Sequence, residues 1–146
     1  MRIEQYNPSD MQVIANDITG VDFGEVVKGN HAPNVIAIRP ILEIGDTFTS
    51  LSVFLEDNGA LDHTQFGKFK STTAIAGITA GSDYLSDYFI EEEGISDASQ
   101  VPGASGDGFI LDEGTPEYLW IDAGVGENEV TFGDLSVNFR FIFEYA

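Results

Sequence analysis

The clearest hydrophobic pattern lies at the C-terminal end of the chain, where apolar and polar residues alternate. Odd positions from Leu135 to Tyr145 carry leucine, valine, three phenylalanines and tyrosine, and the even positions between them are mostly polar. A period of two is typical of a β-strand with one face in a core, because a helix would scatter these side chains around its circumference. We predict a long strand over residues 135–145 with its aromatic face buried.

Two further segments combine β-forming residues with a stop signal. Residues 49–56 alternate in the same way, and the Asn58-Gly59 pair that follows is a tight-turn signal. Residues 34–39 form an apolar run, which we expect Pro40 to end, because proline has no backbone N–H for the ladder.

Apolar runs at residues 118–122 and 129–132 are also predicted strands, joined by a turn-rich connection at residues 123–128. Residues 91–108 form a long polar loop, which is either an ordinary flexible loop or a contact arm. Weaker strand candidates are residues 21–27, 66–70, 73–78 and 84–90.

This spacing of short strands and turns, without an amphipathic helix, predicts an all-β fold. We expect a single β-sandwich, Ig-like or jelly-roll-like, of eight or nine short antiparallel strands over residues 19–146. Residues 1–18 are predicted to be an N-terminal arm or extended segment that docks on a neighbouring molecule.

Charge changes the picture of what the domain binds. The 146 residues include 25 acidic and 6 basic side chains, for a net charge of −19 at pH 7. Nucleic acids and anionic membranes are poor partners for such a surface, because both recruit lysine and arginine. The acidity fits a basic protein partner, divalent cations or a saline medium, and it equally fits simple solubility.

The cysteine count and the lengths of the apolar runs limit where the protein is expected and which chemistry it can carry. The chain has no cysteine, which excludes disulfides, thiolate zinc sites and a cysteine nucleophile. The N-terminus lacks a signal-peptide pattern, and no apolar run reaches membrane-spanning length. We therefore expect the chain to stay in the cytoplasm where it is made, or to leave by lysis.

Candidate chemistry is sparse. His31 and His63 lie in loop-like segments without a G-x-S-x-G signature, so exposed loop histidines explain them better than a catalytic role. Asp107, Asp112 and Glu113 could offer oxygen ligands to calcium, but the EF-hand pattern is absent. We predict no enzyme, no catalytic residue, no metal and no cofactor.

Aromatic residues raise the question of exposed binding surfaces. Phe54 and Tyr88 fall on the nominally polar faces of their strands, which indicates either an oligomer contact or a slip in the assumed register. Trp120 could stack on a sugar, although a core position is more typical of tryptophan. Phe69 between Lys68 and Lys70 offers too little positive charge for nucleic acid.

Several stretches together resemble small β-sandwich proteins encoded among the structural genes of tailed bacteriophages. The resemblance covers roughly residues 20–146 and concerns framework positions, not a catalytic signature. The stretches that carry it are residues 21–31 (VDFGEVVKGNH), 35–40 (VIAIRP), 55–59 (LEDNG), 66–69 (FGKF) with Ser71, 81–89 (GSDYLSDYF), 118–122 (YLWID) and the Phe-rich terminal strand.

The resemblance implies a virion component present in many copies and assembled in the host cytoplasm. We expect a capsid decoration or cement subunit that binds the coat lattice, forms homo-oligomers, and contacts neither nucleic acid nor membrane directly. A tail or neck subunit is the first alternative, and a carbohydrate- or calcium-binding appendage module is the second. Because such folds carry many functions, this step is an analogy.

Overall fold

The computed structural model describes residues 2–41, 48–56, 63–88, 108–109, 117–129 and 138–145. Within these residues the regular structure is β-strand, apart from a single 3₁₀ turn at Asp83–Leu85. The all-β prediction is therefore confirmed. In the described part of the chain, no helix is long and apolar enough to cross a membrane.

The strands form two antiparallel sheets, one of six strands and one of three. In chain order the strands are β1 (Arg2–Tyr6), β2 (Val13–Ala15), β3 (Ile36–Ile41), β4 (Phe48–Glu56), β5 (Thr64–Ser71), β6 (Asp87–Tyr88), β7 (Gly108–Phe109), β8 (Tyr118–Val125) and β9 (Asn138–Tyr145). The larger sheet has the order β2-β1-β3-β8-β5-β6, and the smaller one has the order β7-β4-β9.

The centre of the large sheet is β8, which pairs with β3 on one side and β5 on the other. Successive residues of a strand point to opposite faces, so β8 contributes to both. Trp120 defines the first face, where it is fully buried beside Ala37 and stacks on Phe69 at 5.3 Å between ring centroids. The prediction that Trp120 is a core residue is confirmed.

Residues 73–85 cover this first face. Ile78 and Leu85 are buried in the same hydrophobic cluster as Trp120, with Ile75 packed against it. The apolar residues of this segment therefore pack as a covering loop, and the strand predicted at residues 73–78 is wrong. Gly77 has a φ of +91°, in the left-handed region that a strand does not use.

The opposite face of the large sheet is buried as well. Leu119 and Ile121 of β8 lie opposite Ile38 and Ile36 of β3, and all four side chains are at most 4% exposed. Burial on both faces explains why residues 118–121 read as a continuous apolar run instead of an alternating one.

Three other predicted strands agree with the structure where it describes them. Residues 49–56 lie in β4 and residues 66–70 in β5. The C-terminal prediction is confirmed as a strand from Asn138, which pairs along β4. Residues 135–137, the side chains of β9 and the Asn58-Gly59 turn lie outside the described residues.

Pro40 does not end its strand, because β3 continues to Ile41. Pro40 lies opposite Ile3 in the ladder with β1, whereas the ladder with β8 is described only as far as Ile38. The missing backbone N–H of Pro40 therefore breaks no described hydrogen bond between β3 and β8.

Other boundaries also need correction. The strand β8 runs to Val125, so the predicted connection at residues 123–128 begins later, at Gly126. Residues 21–27 are not a strand, because Gly24 has a φ of +85° and its N–H bonds to the Asp22 side chain at 2.8 Å. Of the candidate at residues 84–90, only Asp87–Tyr88 is a strand among the residues described.

Two strands lie within the predicted N-terminal arm. β1 pairs with β3 over five positions, and Tyr6 of β1 is buried in the cluster of the first face. Residues 1–18 thus contribute to the large sheet of their own chain, although the division of the chain at residue 18 stays a prediction. Most of the predicted loop at residues 91–108 lies outside the described residues, and Gly108 begins β7.

Candidate functional site

A cleft of about 540 Å³ opens at one end of the first face, where β5 and β8 meet the loop that carries His31. We call it the His31 cleft. Its side chains are mostly polar, and three of its lining residues are glycines. The lining consists of Gly29, Asn30, His31, His63, Thr64, Gln65, Tyr88, Gly124, Val125 and Gly126.

Glycines create the seat of the His31 ring. His31 forms an isolated bridge with Gly124, and a Cβ added at Gly124 would lie 3.1 Å from the ring. A Cβ added at Gly81 would lie 3.0 Å from the opposite edge of the same ring. The ring is therefore lodged between two stretches of side-chain-free backbone and remains 43% exposed at the cleft.

The buried Asp122 holds the His31 ring in place. Its side chain is 1% exposed, and Oδ2 accepts a hydrogen bond from Gly81 N–H at 2.7 Å and lies 3.1 Å from His31 Nδ1. A buried carboxylate is costly unless donors surround it, so these contacts hold two loops against the sheet. They also place His31 Nδ1 toward Asp122 and leave Nε2 for other partners.

Gly67 makes room for the carboxylate. It lies directly opposite Asp122 in the pairing of β5 with β8. A Cβ at Gly67 would collide with Asp122 Oδ1 and with the backbone oxygen of Leu85. Oδ1 has no hydrogen-bond partner among the described residues.

A second buried carboxylate supports the other rim of the cleft. Glu129 is 2% exposed, and its Oε2 accepts hydrogen bonds from His63 N–H at 2.8 Å and from Thr64 Oγ1 at 3.3 Å. Gly126 N–H donates to the His63 carbonyl at 2.8 Å. These hydrogen bonds connect the segment after β8, which contains Gly126 and Glu129, to His63 and Thr64 at the start of β5.

The chemistry of the cleft is that of a polar binding surface. None of the side chains that line it is lysine or arginine. Among the described residues, no group of three or more metal-ligating side chains is assembled. Asp107, Asp112 and Glu113, the calcium candidates, lie outside the described residues.

Sequence reasoning placed both histidines in exposed loops and missed their buried partners. Both histidines are exposed, as expected, but His31 is also bridged to β8 and paired with the buried Asp122. Alternation offered a signal, because Tyr118, Trp120 and Asp122 share one face of a strand. A carboxylate on the same face as a core tryptophan requires a partner, and the chain has few bases.

Tyr88, which the sequence places on a nominally polar face, is 40% exposed and lines the cleft, and the oligomer contact considered for it stays a prediction. Lys68 and Lys70, the weak nucleic-acid candidates, lie in acidic surroundings. Burial lowers the pKa of Lys68, with Asp87 acting against the shift and Lys70 adding to it, and Lys70 lies 3.7 Å from Glu117.

A second surface lies at the other end of the large sheet, at β2. Val13 is 48% exposed and Ile14 is 59% exposed, and Ile14 is the extra residue at an irregularity in the pairing of β2 with β1, where Gln5 lies opposite Ala15 and Tyr6 opposite Val13. Within the described residues β2 pairs with β1 alone. Asp10 and Asp17, both exposed, lie on either side of the strand. We call this surface the β2 edge.

Next to this edge, β1 carries a charged network. Glu4 Oε1 lies 2.7 Å from Arg2 Nη1, and Glu4 Oε2 accepts a hydrogen bond from Tyr6 at 2.6 Å. Burial pushes the pKa of Glu4 upward, but these hydrogen bonds and the charges of Arg2 and Arg39 outweigh it and lower the pKa. Burial and the bond to Glu4 raise the pKa of Tyr6.

Comparison with protein-family models, curated proteins and solved structures found no match to the chain. The resemblance to virion proteins of tailed bacteriophages, and every role inferred from it, therefore stays a prediction.

Proposed function

We propose that the chain is a non-enzymatic structural subunit of a virus particle, of the capsid-decoration class, that binds the coat lattice through the β2 edge. The observation that carries the proposal is the pair of exposed apolar side chains, Val13 and Ile14, on a terminal strand of the large sheet. The resemblance of residues 20–146 to virion proteins supplies the biological setting.

The β2 edge has the physical features of a strand-addition site. An edge strand presents backbone N–H and C=O groups to an incoming strand, and the exposed apolar side chains of β2 add burial. Covering the exposed half of Val13 and Ile14 is worth about 1 kcal/mol each. The short length of β2 keeps the free edge small and limits unwanted aggregation.

The charge around the edge indicates the character of the partner. Asp10 and Asp17 border the apolar strand, and the whole chain has a net charge of −19. A coat-protein surface with an apolar centre and a basic rim is complementary to this arrangement. Repulsion between acidic copies disfavours the same edge pairing with itself at low salt.

We also propose that the two sheets pack face to face as a β-sandwich. The second face of the large sheet, with Ile36, Ile38 and Ile121, is buried and apolar, as an inner sandwich face is. The smaller sheet of β4, β7 and β9 is the candidate cover. Nuclear Overhauser contacts between the Ile121 methyls and residues of β4 or β9 would support the sandwich, and contacts to other segments alone would oppose it.

The test of the proposed function is co-sedimentation of the purified protein with coat shells assembled without it. Saturable binding is expected, and Ile14→Lys should weaken it about tenfold or more by placing a charge in the contact. Val27→Lys is the matched control, because Val27 is an exposed valine outside the β2 edge, at 73% exposure.

Absence of saturable binding by the wild-type protein would overturn the decoration role. Equal loss with Ile14→Lys and Val27→Lys would overturn the assignment of the β2 edge. Self-assembly of the pure protein into rings or tubes would instead favour the tail or neck alternative.

A further inference from the structure

We propose that the His31 cleft is a binding site for a neutral, hydroxyl-rich ligand of the saccharide class. The site lies on the first face next to β5 and β8, away from the β2 edge at the other end of the strand order. The inference therefore stands independently of binding to a coat lattice.

Charge decides against an ionic ligand. No lysine or arginine lines the cleft, and the buried carboxylates of Asp122 and Glu129 lie directly behind it. An anion would meet these charges and the field of a chain with a net charge of −19. A cation would have to reach carboxylates that are at most 2% exposed and whose Oδ2 and Oε2 atoms already accept hydrogen bonds from Gly81 and His63 N–H.

Polarity decides against an apolar ligand. Val125 is the one aliphatic side chain among the lining residues, so a purely apolar ligand would leave the polar lining side chains without hydrogen-bond partners. His31, His63 and Gln65 line the cleft, and each of these side chains can both donate and accept hydrogen bonds. Hydroxyl groups have the same dual character, which makes a polyol the best chemical match.

Tyr88 supplies the feature that distinguishes a sugar from other polar ligands. Its side chain is 40% exposed on the cleft wall, where it pairs across from Gly67. A pyranose ring has an apolar C–H face that packs on an aromatic ring while its hydroxyls bond to polar neighbours.

The site is held in place before any ligand arrives. Asp122 and the two glycines at the His31 ring restrict the histidine to one position, with Nδ1 engaged and Nε2 left for the ligand. Groups that are fixed in advance lose little conformational entropy on binding, which favours affinity at a small site. A cavity of about 540 Å³ accommodates one or two sugar rings.

The experiment is ligand-observed NMR of the full chain with maltose, lactose, cellobiose and N,N′-diacetylchitobiose at millimolar concentration. Polygalacturonate serves as an acidic counterpart. Saturation transfer to at least one neutral disaccharide is expected, and Tyr88→Ala should weaken its binding about tenfold. Tyr84→Ala is the matched control, because Tyr84 is 51% exposed but outside the cleft, against Phe69.

His31→Ala should also weaken binding, whereas Ile14→Lys at the β2 edge should leave it unchanged. Circular dichroism checks that each variant is folded. No transfer to any neutral sugar, transfer to the acidic polymer alone, or equal effects of Tyr88→Ala and Tyr84→Ala would each overturn the proposal. Sugar binding without lattice binding would uphold this site while refuting the decoration role.

Discussion

Gly67 sets how closely residues 79–85 can approach the large sheet. It has no side chain at the point where the Asp122 carboxylate and the Leu85 backbone oxygen both cross β5. Any Cβ at this position would push the carboxylate or the covering loop outward. Because Asp122 also holds Gly81 and His31, the displacement would reach the His31 cleft.

We predict that Gly67→Ala lowers the free energy of unfolding by about 2 kcal/mol, because the packed backbone around it cannot yield cheaply. Gly20→Ala is the control, since no atom lies within 4 Å of a Cβ at Gly20. Chemical denaturation followed by tryptophan fluorescence measures both. Equal unfolding midpoints for the two variants would contradict the packing described here.

The Glu4 network predicts a pH-dependent contribution to stability. The pKa of Glu4 is lower in the folded protein than its usual value, so its contribution is present above the unfolded pKa. The contribution is lost as the pH falls through the lowered folded pKa, where the carboxylate takes up a proton.

Glu4→Gln should therefore destabilise the protein by about 1 kcal/mol at neutral pH and have little effect at strongly acidic pH. Unfolding curves across this range measure the difference, with the exposed Glu25→Gln as control. A destabilisation by Glu4→Gln that does not change with pH would show that the charge of Glu4 is not the cause.

Residue roles were only partly predictable from the sequence. The burial of Trp120 follows from its type and its neighbours, and the structure agrees. The contact of Asp122 with His31 joins residues that are remote in sequence, and no local pattern encodes which loop folds over which strand. A charged residue on the same face as Trp120 was the available signal.

At the scale of elements, strands with long regular patterns were predictable and covering segments were not. β4, β5 and most of β8 follow from composition and alternation. Residues 73–78 have the apolar content of a strand, but their apolar side chains pack over the first face of the large sheet instead. β1 was missed because its sequence, RIEQY, is mostly polar. Its pairing with β3 depends on a contact between residues that are remote in sequence, which no local pattern indicates.

Removal of residues 1–18 distinguishes a detachable arm from an integral pair of strands. We predict that the truncated chain loses several kcal/mol of stability or fails to fold, because Tyr6 and the whole β1 ladder are lost. The double variant Val13→Thr with Ile14→Thr, which changes only exposed side chains of β2, should keep the wild-type unfolding midpoint. A truncated chain with that midpoint would support the arm interpretation.

At the scale of the whole molecule, charge and burial act on different surfaces. The large sheet is apolar on both faces at its centre, around Trp120 and Ile121, and its terminal strand β2 is apolar but exposed. A net charge of −19 opposes the close approach of free copies, and the partner that we propose for this edge is basic. Composition predicted the repulsion, but the location of the edge required the sheet order.

Hydrogen–deuterium exchange of the protein, free and bound to coat shells, shows whether the β2 edge is the surface that contacts the coat. We expect amide exchange in Val13–Ala15 to slow on binding, because a partner strand covers the edge of the large sheet. Slower exchange confined to other segments, with Val13–Ala15 unchanged in the bound state, would contradict it.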